Sequence, residues 1–585
     1  MSQDSIQQQL PVHLRQYVAE QDYEARYSSR DQAVWRYVLA QLVSHLTDKA
    51  HPVYFDGLVR TGITLDSIPS IDEMNNSLSH LGWRAIVVDG FIPPQAFMEL
   101  QSLKVLAIAL DMRAIEHIEY TPAPDIIHEA AGHAPIIADE EYSEYLQKFG
   151  EVGMKAIFNN WDLAVYEAVR GLSIAKENTD LDSHQLRNFE DKLQCLLDNQ
   201  GQPSELAMLT RLHWWTVEYG LVGSLDDNKI FGAGLLSSLR ESDYCLGESI
   251  IKRPLSVEAV LTSYDITKPQ PQLFVTKSCR HLTQVLEEYA HLMCYQVGGS
   301  DSIQTAIDAG IVATCEYSSG LQVSGKFNRL LQNALGSEIY LGTEGPTQLA
   351  INQSEIEGHD IRYHRKGFGS PIGRVCNLMK ALEDASEYDL QMMGIKREGS
   401  VTLEFLSGVQ VQGKLDSILK ENGKLVLFSF SNCTVSGPSG ETLFDPSWGN
   451  YDMAVGESIV SVFAGSADRS KCDVYPPKLE KIAKVDKHSK ETLEEFDLYA
   501  RVRECRDSLE DGKLGANALN ELIKNAQEKC PSAWLLHLEL YELSISLETH
   551  IDLTAHYLDL LCVSHPIYAP LITQGRNLHS AYISD

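Results

Sequence analysis

The sequence has few of the features that mark secreted, membrane-spanning or disulfide-stapled proteins. Its 11 cysteines are scattered over 585 residues, and no two of them are spaced as C-x-x-C. A disulfide scaffold and a thiolate zinc site are therefore not expected. No apolar run approaches the ~20 residues that span a bilayer. The first residues also lack the basic and apolar regions of a signal peptide. These absences predict a cytoplasmic protein.

Basic side chains are scarce relative to acidic ones. The chain has 49 lysines and arginines against 81 aspartates and glutamates, which gives a net charge of -32. An acidic surface repels phosphate backbones and anionic lipid headgroups. We therefore expect neither a nucleic-acid partner nor a membrane partner.

The chain is too long for one hydrophobic core, so two to four domains are expected. Residues 1–300 are predicted to be mainly helical, because apolar residues recur at three- and four-residue spacing in 32–46, 142–158 and 205–222. Residues 301–395 carry a weaker signal, which predicts a linker or connecting segment.

The end of the chain has two further patterns. Residues 396–478 alternate between apolar and polar side chains, and Asn422-Gly423 separates two strand-like runs. This predicts a small β-rich domain that contains a hairpin. Residues 485–585 return to helical spacing and predict a C-terminal α-helical module. The fold class expected is therefore multidomain, with a mainly α first domain.

The segment 124–135 carries the strongest chemical signal. It contains His128 and His133, with Glu129 and Gly132 between them. Five residues on a straight α-helix turn the second ring about 140° away from the first. The two imidazoles can converge on one metal ion only if the helix loosens, and Gly132 with the following Pro135 provides that freedom. Two ordinary histidines near a helix end are the alternative.

Glu218 is a candidate third ligand, because it lies in an apolar and aromatic stretch, 212–223, where an unpaired carboxylate is costly. A carboxylate on the solvent face or in a buried salt bridge is the alternative. Two histidines and one carboxylate leave open coordination positions, as in the non-haem Fe(II) oxygenases. A zinc hydrolase is disfavoured, since the chain has no H-E-x-x-H.

Several motifs together resemble the pterin-dependent aromatic amino acid hydroxylase family. They occur in the family's order from about residue 20 to 290: AVWR at 33–36, GWR at 82–84, PDIIHE at 124–129, GHAP at 132–135, WWTVEYGL at 214–221, GAGLLSS at 232–238, YCL at 244–246 and YDITK at 264–268. The resemblance implies a catalytic domain of this family in 1–300. It also implies Fe(II) held by His128, His133 and Glu218, a tetrahydropterin such as tetrahydrobiopterin, and O2.

The resemblance also implies roles for individual residues. Arg113 matches the arginine that binds the amino acid carboxylate, and Thr121, Trp214 and Ser237 match residues around the same group. Pro124 and Trp215 are expected to form apolar walls for the aromatic ring. The pterin is expected to stack on Phe97, to face Glu129 and to lie along a loop with Gly90 and Ile92. Departures from the family pattern are His213 in place of a tyrosine and Pro94 in place of a serine. Ala107 and Leu106 replace a histidine and an aromatic residue that lie near the pterin and iron in the family.

Ile266 stands where the family distinguishes its substrates. An apolar residue there resembles the phenylalanine enzymes, so we expect L-phenylalanine to be converted to L-tyrosine. Tryptophan or tyrosine hydroxylation is the alternative within the family. A different metal-dependent enzyme, or an interaction protein with an impaired site, is the alternative outside it. The resemblance does not cover the C-terminal region, where a homo-oligomer contact is possible.

Overall fold

The computed structural model describes residues 2–90, 92–119, 124–177, 183–199, 201–265, 268–472, 490–510 and 516–580. The first 298 residues are mainly helical, as predicted. Their helices are α1 (Gln3–Gln9), α2 (Tyr23–Arg26), α3 (Ser29–Leu46), α4 (Tyr54–Arg60), α5 (Ile71–Leu78), α6 (Pro94–Ser102), α7 (Glu140–Gly153), α8 (Asn160–Glu177), α9 (Ser183–Asp198), α10 (Glu205–His213), α11 (Ala233–Leu236), α12 (Leu239–Tyr244), α13 (Cys279–Ala290) and α14 (Cys294–Val297).

Two small sheets complete this part of the chain. Strands β1 (Arg84–Val88) and β2 (Val105–Ala109) pair in parallel, and the second sheet has the order β4-β3-β6-β5. The second sheet consists of β3 (Leu221–Gly223), β4 (Asn228–Ile230), β5 (Ile251–Pro254) and β6 (Gln272–Thr276). Strand β2 leads towards the histidine-bearing turn, while β3 follows directly after the turn that carries Glu218.

The middle of the chain is a β-rich unit with two sheets. Its elements are α15 (Gly299–Ala309), β7 (Val312–Tyr317), β8 (Leu321–Gln332), β9 (Glu338–Ile351), β10 (Ser354–Glu355), β11 (Gly369–Pro371), α16 (Glu387–Met392), β12 (Ser400–Glu404), β13 (Gln410–Glu421), β14 (Lys424–Ser436), β15 (Thr442–Phe444), β16 (Tyr451–Ala454) and β17 (Ile459–Ala464). One sheet has the order β10-β9-β8-β7-β17 with β11 on β9, and the other has β12-β13-β14-β15 with β16 on β14.

The predicted hairpin at Asn422-Gly423 is confirmed. Glu421 pairs with Lys424, so β13 and β14 are joined by a two-residue turn. Both turn residues have positive φ, 50° at Asn422 and 82° at Gly423. This is the geometry that a tight hairpin requires and that Asn-Gly adopts at low cost.

The structure differs from the prediction of a connecting segment at 301–395. That segment contains the long strands β7, β8 and β9, with a hydrophobic core of their own. The alternation was hidden because polar side chains occupy buried positions. Ser324, for example, is buried and its hydroxyl is 2.8 Å from that of Thr314 on the neighbouring strand. Strand β17, which was assigned to the small β-domain, pairs with β7 and joins the two regions.

The C-terminal residues form five helices, as the predicted helical module requires. They are α17 (Lys490–Glu510), α18 (Ala516–Lys529), α19 (Trp534–Ser546), α20 (Ile551–Ser564) and α21 (Ala569–Ser580). No helix among the described residues is long and apolar enough to cross a membrane.

The C-terminal helices pack on α3 of the first domain and share its hydrophobic core. The hydroxyl of Tyr37 donates to the carbonyl of Leu571 at 2.8 Å. The guanidinium of Arg36 is buried and forms salt bridges with Glu539 and Glu542, which Arg506 also contacts. Removing one partner of such a network leaves an uncompensated buried charge, so these helices are held to one position on α3.

The β-rich unit contacts the first domain through the residues that follow β17. The buried guanidinium of Arg469 is 3.0 Å from the carboxylate of Glu99 on α6 and donates to the carbonyl of Met154 at 2.6 Å. His13 contacts the other oxygen of Glu99 at 2.9 Å. Because Glu99 lies on the same short helix as Phe97, this unit also positions α6.

Candidate metal centre

His128 and His133 converge because they lie on one turn of π-helix, His128–His133. The hydrogen bonds of such a turn join residues five apart, as the N–H of Ala134 to the carbonyl of Glu129 shows. Residues at this spacing therefore stack on the same side. The two Nε2 atoms are 3.0 Å apart. The predicted loosening of the helix at this pair is confirmed.

Gly132 allows the turn to lie against α11. A Cβ atom at this position would be 2.8 Å from the carbonyl oxygen of Ala233, closer than real side chains come. Helix α11 ends at Ser237, which contacts His128. The absence of a side chain at Gly132 therefore lets the histidine turn approach α11 closely, in addition to giving the backbone freedom.

Glu218 lies at the end of a second π-helical turn, Trp214–Glu218. The turn is closed by the N–H of Tyr219 on the carbonyl of Trp214 at 2.9 Å. The Glu218 carboxylate is 3.3 Å from Nε2 of His128 and 3.4 Å from Nε2 of His133. Two imidazole nitrogens and a carboxylate thus face one point, as predicted from the sequence.

The two carboxyl groups near this point differ in their protonation. Burial alone would raise the pKa of Glu218, but His133 and His128 outweigh it and hold that pKa well below the usual range. Burial raises the pKa of Glu129 to about 8, with Glu218 adding to the rise and His133 opposing it. Glu129 is 3.9 Å from Nε2 of His133. The lowered pKa suits Glu218 to a cation, and Glu129 also has a ligand atom within 4.8 Å of those of His128 and His133.

Ser237 fixes the tautomer of His128. The Ser237 hydroxyl donates to the carbonyl of Ala233 at 2.7 Å. Since that uses its only hydrogen, it accepts the N–H of His128 Nδ1 at 3.1 Å. The lone pair of His128 Nε2 then points at Glu218 and His133. The donor set fits a divalent transition metal such as iron, which prefers neutral imidazole and carboxylate ligands.

We expect Ser237→Ala to weaken Fe(II) binding by about 10- to 100-fold, because His128 loses the group that orients it. Fe(II) titration of the metal-free protein measures this change. Ser242→Ala is the matched control, since it removes another buried serine hydroxyl that bonds only to a backbone carbonyl. Equal affinities in the two variants would contradict the orienting role of Ser237.

Arg113 and Asp125 form a buried fork next to the metal ligands. Nε of Arg113 is 2.7 Å from one oxygen of Asp125, and Nη2 is 3.0 Å from the other. Asp125 also accepts the N–H of His128 at 3.0 Å and thereby caps the histidine turn. Burial would raise the pKa of Asp125, but Arg113 lowers it below its usual range. Nη1 of Arg113 donates to the carbonyl of Ser237 at 3.2 Å.

The two tryptophans predicted to touch the substrate have different surroundings. The ring of Trp214 is stacked between Tyr219 at 4.6 Å and Tyr264 at 4.3 Å, and its buried Nε1 has no hydrogen-bond partner. Trp215 is 1% exposed and donates to the carbonyl of Thr262, so it packs in the core rather than forming an open wall. Pro124 is exposed beside Asp125. Thr121 and Ile266 lie outside the described residues.

The residues predicted to bind the pterin lie in the loop before α6, on α6 and on the histidine turn. Ile92 and Phe97 both pack against the apolar cluster of β1, β2 and α6, and Gly90 in the preceding loop has a φ of 75°. Glu129 faces the metal ligands from the histidine turn. These positions agree with a cofactor pocket, and the pterin role of each residue stays a prediction.

The departures from the family pattern have plain structural explanations. Pro94 is the first residue of α6, where a proline fits. Leu106 and Ala107 are buried in β2. His213 is buried between the rings of Phe97 at 5.9 Å and Phe149 at 5.2 Å, with Nδ1 3.6 Å from Glu218. Burial lowers the pKa of His213 to about 4, against the opposing effect of Glu218.

Sequence reasoning missed three residues of this site. They are Asp125 as the partner of Arg113, and Tyr219 and Tyr264 as the rings that cover Trp214. A helix-start aspartate in an apolar segment was a signal for the first, because a buried carboxylate needs a cation. The two tyrosines gave no local signal.

Comparison with known proteins supports the same assignment. The profile of the family described as biopterin-dependent aromatic amino acid hydroxylase matches residues 13–161 and 188–298. The chain is 28% identical to a phenylalanine-4-hydroxylase from Pseudomonas aeruginosa over 278 residues, which cover 47% of this chain and 89% of the relative. It is 27% identical to a phenylalanine-4-hydroxylase from Chromobacterium violaceum over 260 residues, which cover 44% and 73%.

A solved structure of the Chromobacterium violaceum phenylalanine hydroxylase holds iron(III) and 7,8-dihydrobiopterin. The two chains are 25% identical, and the match covers 47% of this chain and 85% of the solved chain with a TM-score of 0.38. The profile match alone includes both histidines, Glu218, Arg113 and Ser237. Over residues 13–161 and 188–298, the chain is similar to the biopterin-dependent aromatic amino acid hydroxylases.

Proposed function

We propose that the protein is an iron(II)- and tetrahydropterin-dependent monooxygenase that converts L-phenylalanine to L-tyrosine. The convergence of His128, His133 and Glu218 supports this proposal most directly. The two Nε2 atoms are 3.0 Å apart, and one Glu218 carboxylate oxygen lies 3.3 Å from His128 while the other lies 3.4 Å from His133. The relatives that carry the name phenylalanine-4-hydroxylase support the choice of substrate.

His128, His133 and Glu218 would hold the iron through two imidazole nitrogens and a carboxylate, a ligand set that leaves coordination positions for other groups. When bound, iron and tetrahydropterin supply the activation of O2, from which one oxygen atom enters the aromatic ring and the other leaves on the pterin. The protein contributes a dry site around that reaction. His213, Phe149 and Ala130 are buried around the ligands and exclude water there.

Arg113 binds the substrate carboxylate. Its fork to Asp125 and its bond to Ser237 use three of the five N–H donors of a guanidinium, so two remain for a carboxylate. The buried Nε1 of Trp214 lacks a partner and offers another donor nearby. The family resemblance also assigns Pro124, and Thr121 and Ile266 outside the described residues, to substrate binding, with an apolar residue at position 266 favouring phenylalanine.

Phe97, Gly90 and Ile92 would hold the pterin, and Glu129 would face it. Phe97 is half-buried and offers an aromatic face or edge for a flat heterocycle. Arg469, through Glu99, keeps the helix that carries Phe97 in place.

The test is turnover by the full chain. Metal-free protein is loaded with Fe(II) under argon and mixed with tetrahydropterin, O2 and L-phenylalanine, and tyrosine is scored by mass. Tyrosine formation that needs all four components supports the proposal. Hydroxylated tryptophan or tyrosine without hydroxylated phenylalanine would change the substrate and keep the chemistry. Bound iron with no product from any of the three amino acids would overturn the proposal.

The remaining regions act as supports of this catalytic unit. We propose that residues 396–478, with the strands before them, brace α6, and that residues 485–585 brace α3 and carry a contact between two copies of the chain. Helix α20 and the turn after it expose apolar side chains at helical spacing: Leu553, Leu560, Val563 and Ile567. We place the protein in the cytosol, where its 11 free cysteines stay reduced.

We expect Val563→Glu to turn an oligomer into a monomer, because Val563 is 80% exposed in that stripe and a charge cannot be buried at low cost. Sedimentation velocity of the full chain measures the change. Val59→Glu, at a similarly exposed valine on α4, is the control that should keep the oligomer. A wild-type protein that sediments as a monomer would contradict the contact.

A further inference from the structure

Two further groups of metal-ligating side chains lie among the described residues. In one of them, His51 is no closer than 4.0 Å to Asp139 or Cys279. The other cluster lies in the β-rich unit, outside the residues that the family profile matches. It consists of His359, His364 and Asp452. Nδ1 of His359 is 3.1 Å from Nε2 of His364. One ligand atom of each residue, including a carboxylate oxygen of Asp452, lies within 4.8 Å of the other two.

The backbone holds these residues in place before any ligand binds. Asp360 accepts the N–H of Arg362 at 3.1 Å and of Tyr363 at 2.9 Å, which fixes the turn between the two histidines. The N–H of Thr347 on β9 donates to the carbonyl of His364 at 3.2 Å. The loop with the histidines is therefore tied to the sheet.

Asp452 comes from a distant part of the sequence and a different sheet. It lies in β16, opposite Ser429 of β14, whose hydroxyl donates to Asp452 Oδ1 at 2.6 Å. Tyr363 is also hydrogen-bonded to this carboxylate. Asp452 is 5% exposed and His364 is 7% exposed. Partners of this kind orient ligating carboxylates in metal sites.

A hydrogen bond between the two imidazoles explains their contact, but it leaves a buried carboxylate beside them. A cation bound by all three satisfies both histidines and the carboxylate at once. Two imidazole nitrogens 3.1 Å apart have the separation expected for ligands that bind one ion at about 2.0–2.1 Å. Mixed nitrogen and oxygen ligands suit zinc and its neighbours in the first transition row.

The cluster borders a cavity of about 810 Å³ between the two sheets. His364 and Asp452 line it, together with Arg329, Arg365 and Lys366. An ion can therefore enter from solvent and keep at least one coordination position open. Three basic side chains on one cavity stand out in a chain of net charge -32 and favour a small anion at that position.

We propose that His359, His364 and Asp452 bind one divalent transition-metal cation, of the zinc class, at a site separate from the iron site. The site has an open coordination position that faces the cavity. It does not depend on hydroxylase activity, so the proposed function and this site can fail independently.

The test uses the full chain and Co²⁺ as a spectroscopic probe for Zn²⁺. The metal-free protein is loaded with Co²⁺ and passed over a desalting column, and metal per chain is then measured. We expect two Co²⁺ per chain in the wild type. His364→Ala and His133→Ala should each retain one, and the double variant none. His291→Ala, at an exposed histidine, is the control that should retain two.

Asp452→Asn and His359→Gln test the same site with smaller changes in side-chain size, in case His364→Ala does not fold. Each should lower the metal content to one and remove the absorption bands of the second site, with unchanged circular dichroism. One Co²⁺ in the wild type that disappears in His133→Ala would overturn the proposal. So would two Co²⁺ per chain in a folded His359→Gln or Asp452→Asn variant.

Discussion

Replacing His133 with alanine is expected to abolish hydroxylation while the fold stays intact. The variant loses one of the three donor atoms that face the metal position, and its partner Nε2 on His128 is 3.0 Å away in the wild type. A bound metal supplies several kcal/mol of the barrier in reactions of this kind, and each 1.4 kcal/mol is tenfold in rate. Turnover should therefore fall by at least about 10³-fold.

The measurement is tyrosine formed per chain at saturating Fe(II), tetrahydropterin and phenylalanine, with iron content determined on the same sample. His80→Ala is the matched control, because His80 is an exposed histidine far from the ligands. It should have wild-type turnover and iron content. A folded His133→Ala variant that still forms tyrosine at the wild-type rate would remove His133 from the metal ligands and contradict the assignment.

The convergence of His128 and His133 could be predicted from the sequence because the backbone geometry that it requires is local. A five-residue spacing cannot converge on an ordinary helix, so Gly132 and Pro135 around His133 pointed to an irregular turn. The structure has that turn at His128–His133. A second such turn at Trp214–Glu218 was not predicted, since no glycine or proline lies within it.

The interplay of Arg113 and Asp125 shows why the rest of the site was harder to predict. Each residue has an ordinary local explanation, a surface charge for Arg113 and a helix start for Asp125. Their fork exists only because the backbone between them folds back, with the N–H of Ile126 on the carbonyl of Asp111 at 2.7 Å. A contact of this kind depends on tertiary structure and leaves no periodic signal in the sequence.

Dependence on tertiary structure also explains why the fold beyond residue 300 was hard to predict. Strands β8 and β9 carry register shifts, and these interrupt the alternation that strand prediction relies on. The docking of α19 on α3 depends on Arg36, Glu539 and Glu542, which look like surface charges in the sequence. The positions of helices and of the hairpin could be predicted from the sequence, whereas the elements that they pack against could not.

Replacing Arg113 with lysine is expected to lower kcat/KM for phenylalanine by about 10²-fold, with iron content preserved. Lysine keeps the positive charge beside Asp125, which caps the histidine turn, but it loses the planar fork that binds a carboxylate at two points. The guanidinium can form two charge-assisted hydrogen bonds to the carboxylate, of about 1.5–3 kcal/mol each, and lysine replaces at most one of them. The loss should appear mainly in KM.

A comparison of two substrates separates recognition of the carboxylate from a structural role of Arg113. Phenylalanine and 2-phenylethylamine share the ring and the amine, and only the first has a carboxylate. If Arg113 binds that group, the wild type should prefer phenylalanine by about 10²-fold in kcat/KM, and Arg113→Lys should lose most of this preference. If Arg113 only holds Asp125 and the histidine turn, the variant should lower both rates by the same factor and leave their ratio unchanged. An unchanged ratio would therefore assign Arg113 to the support of His128 and move carboxylate binding to the unpartnered Nε1 of Trp214.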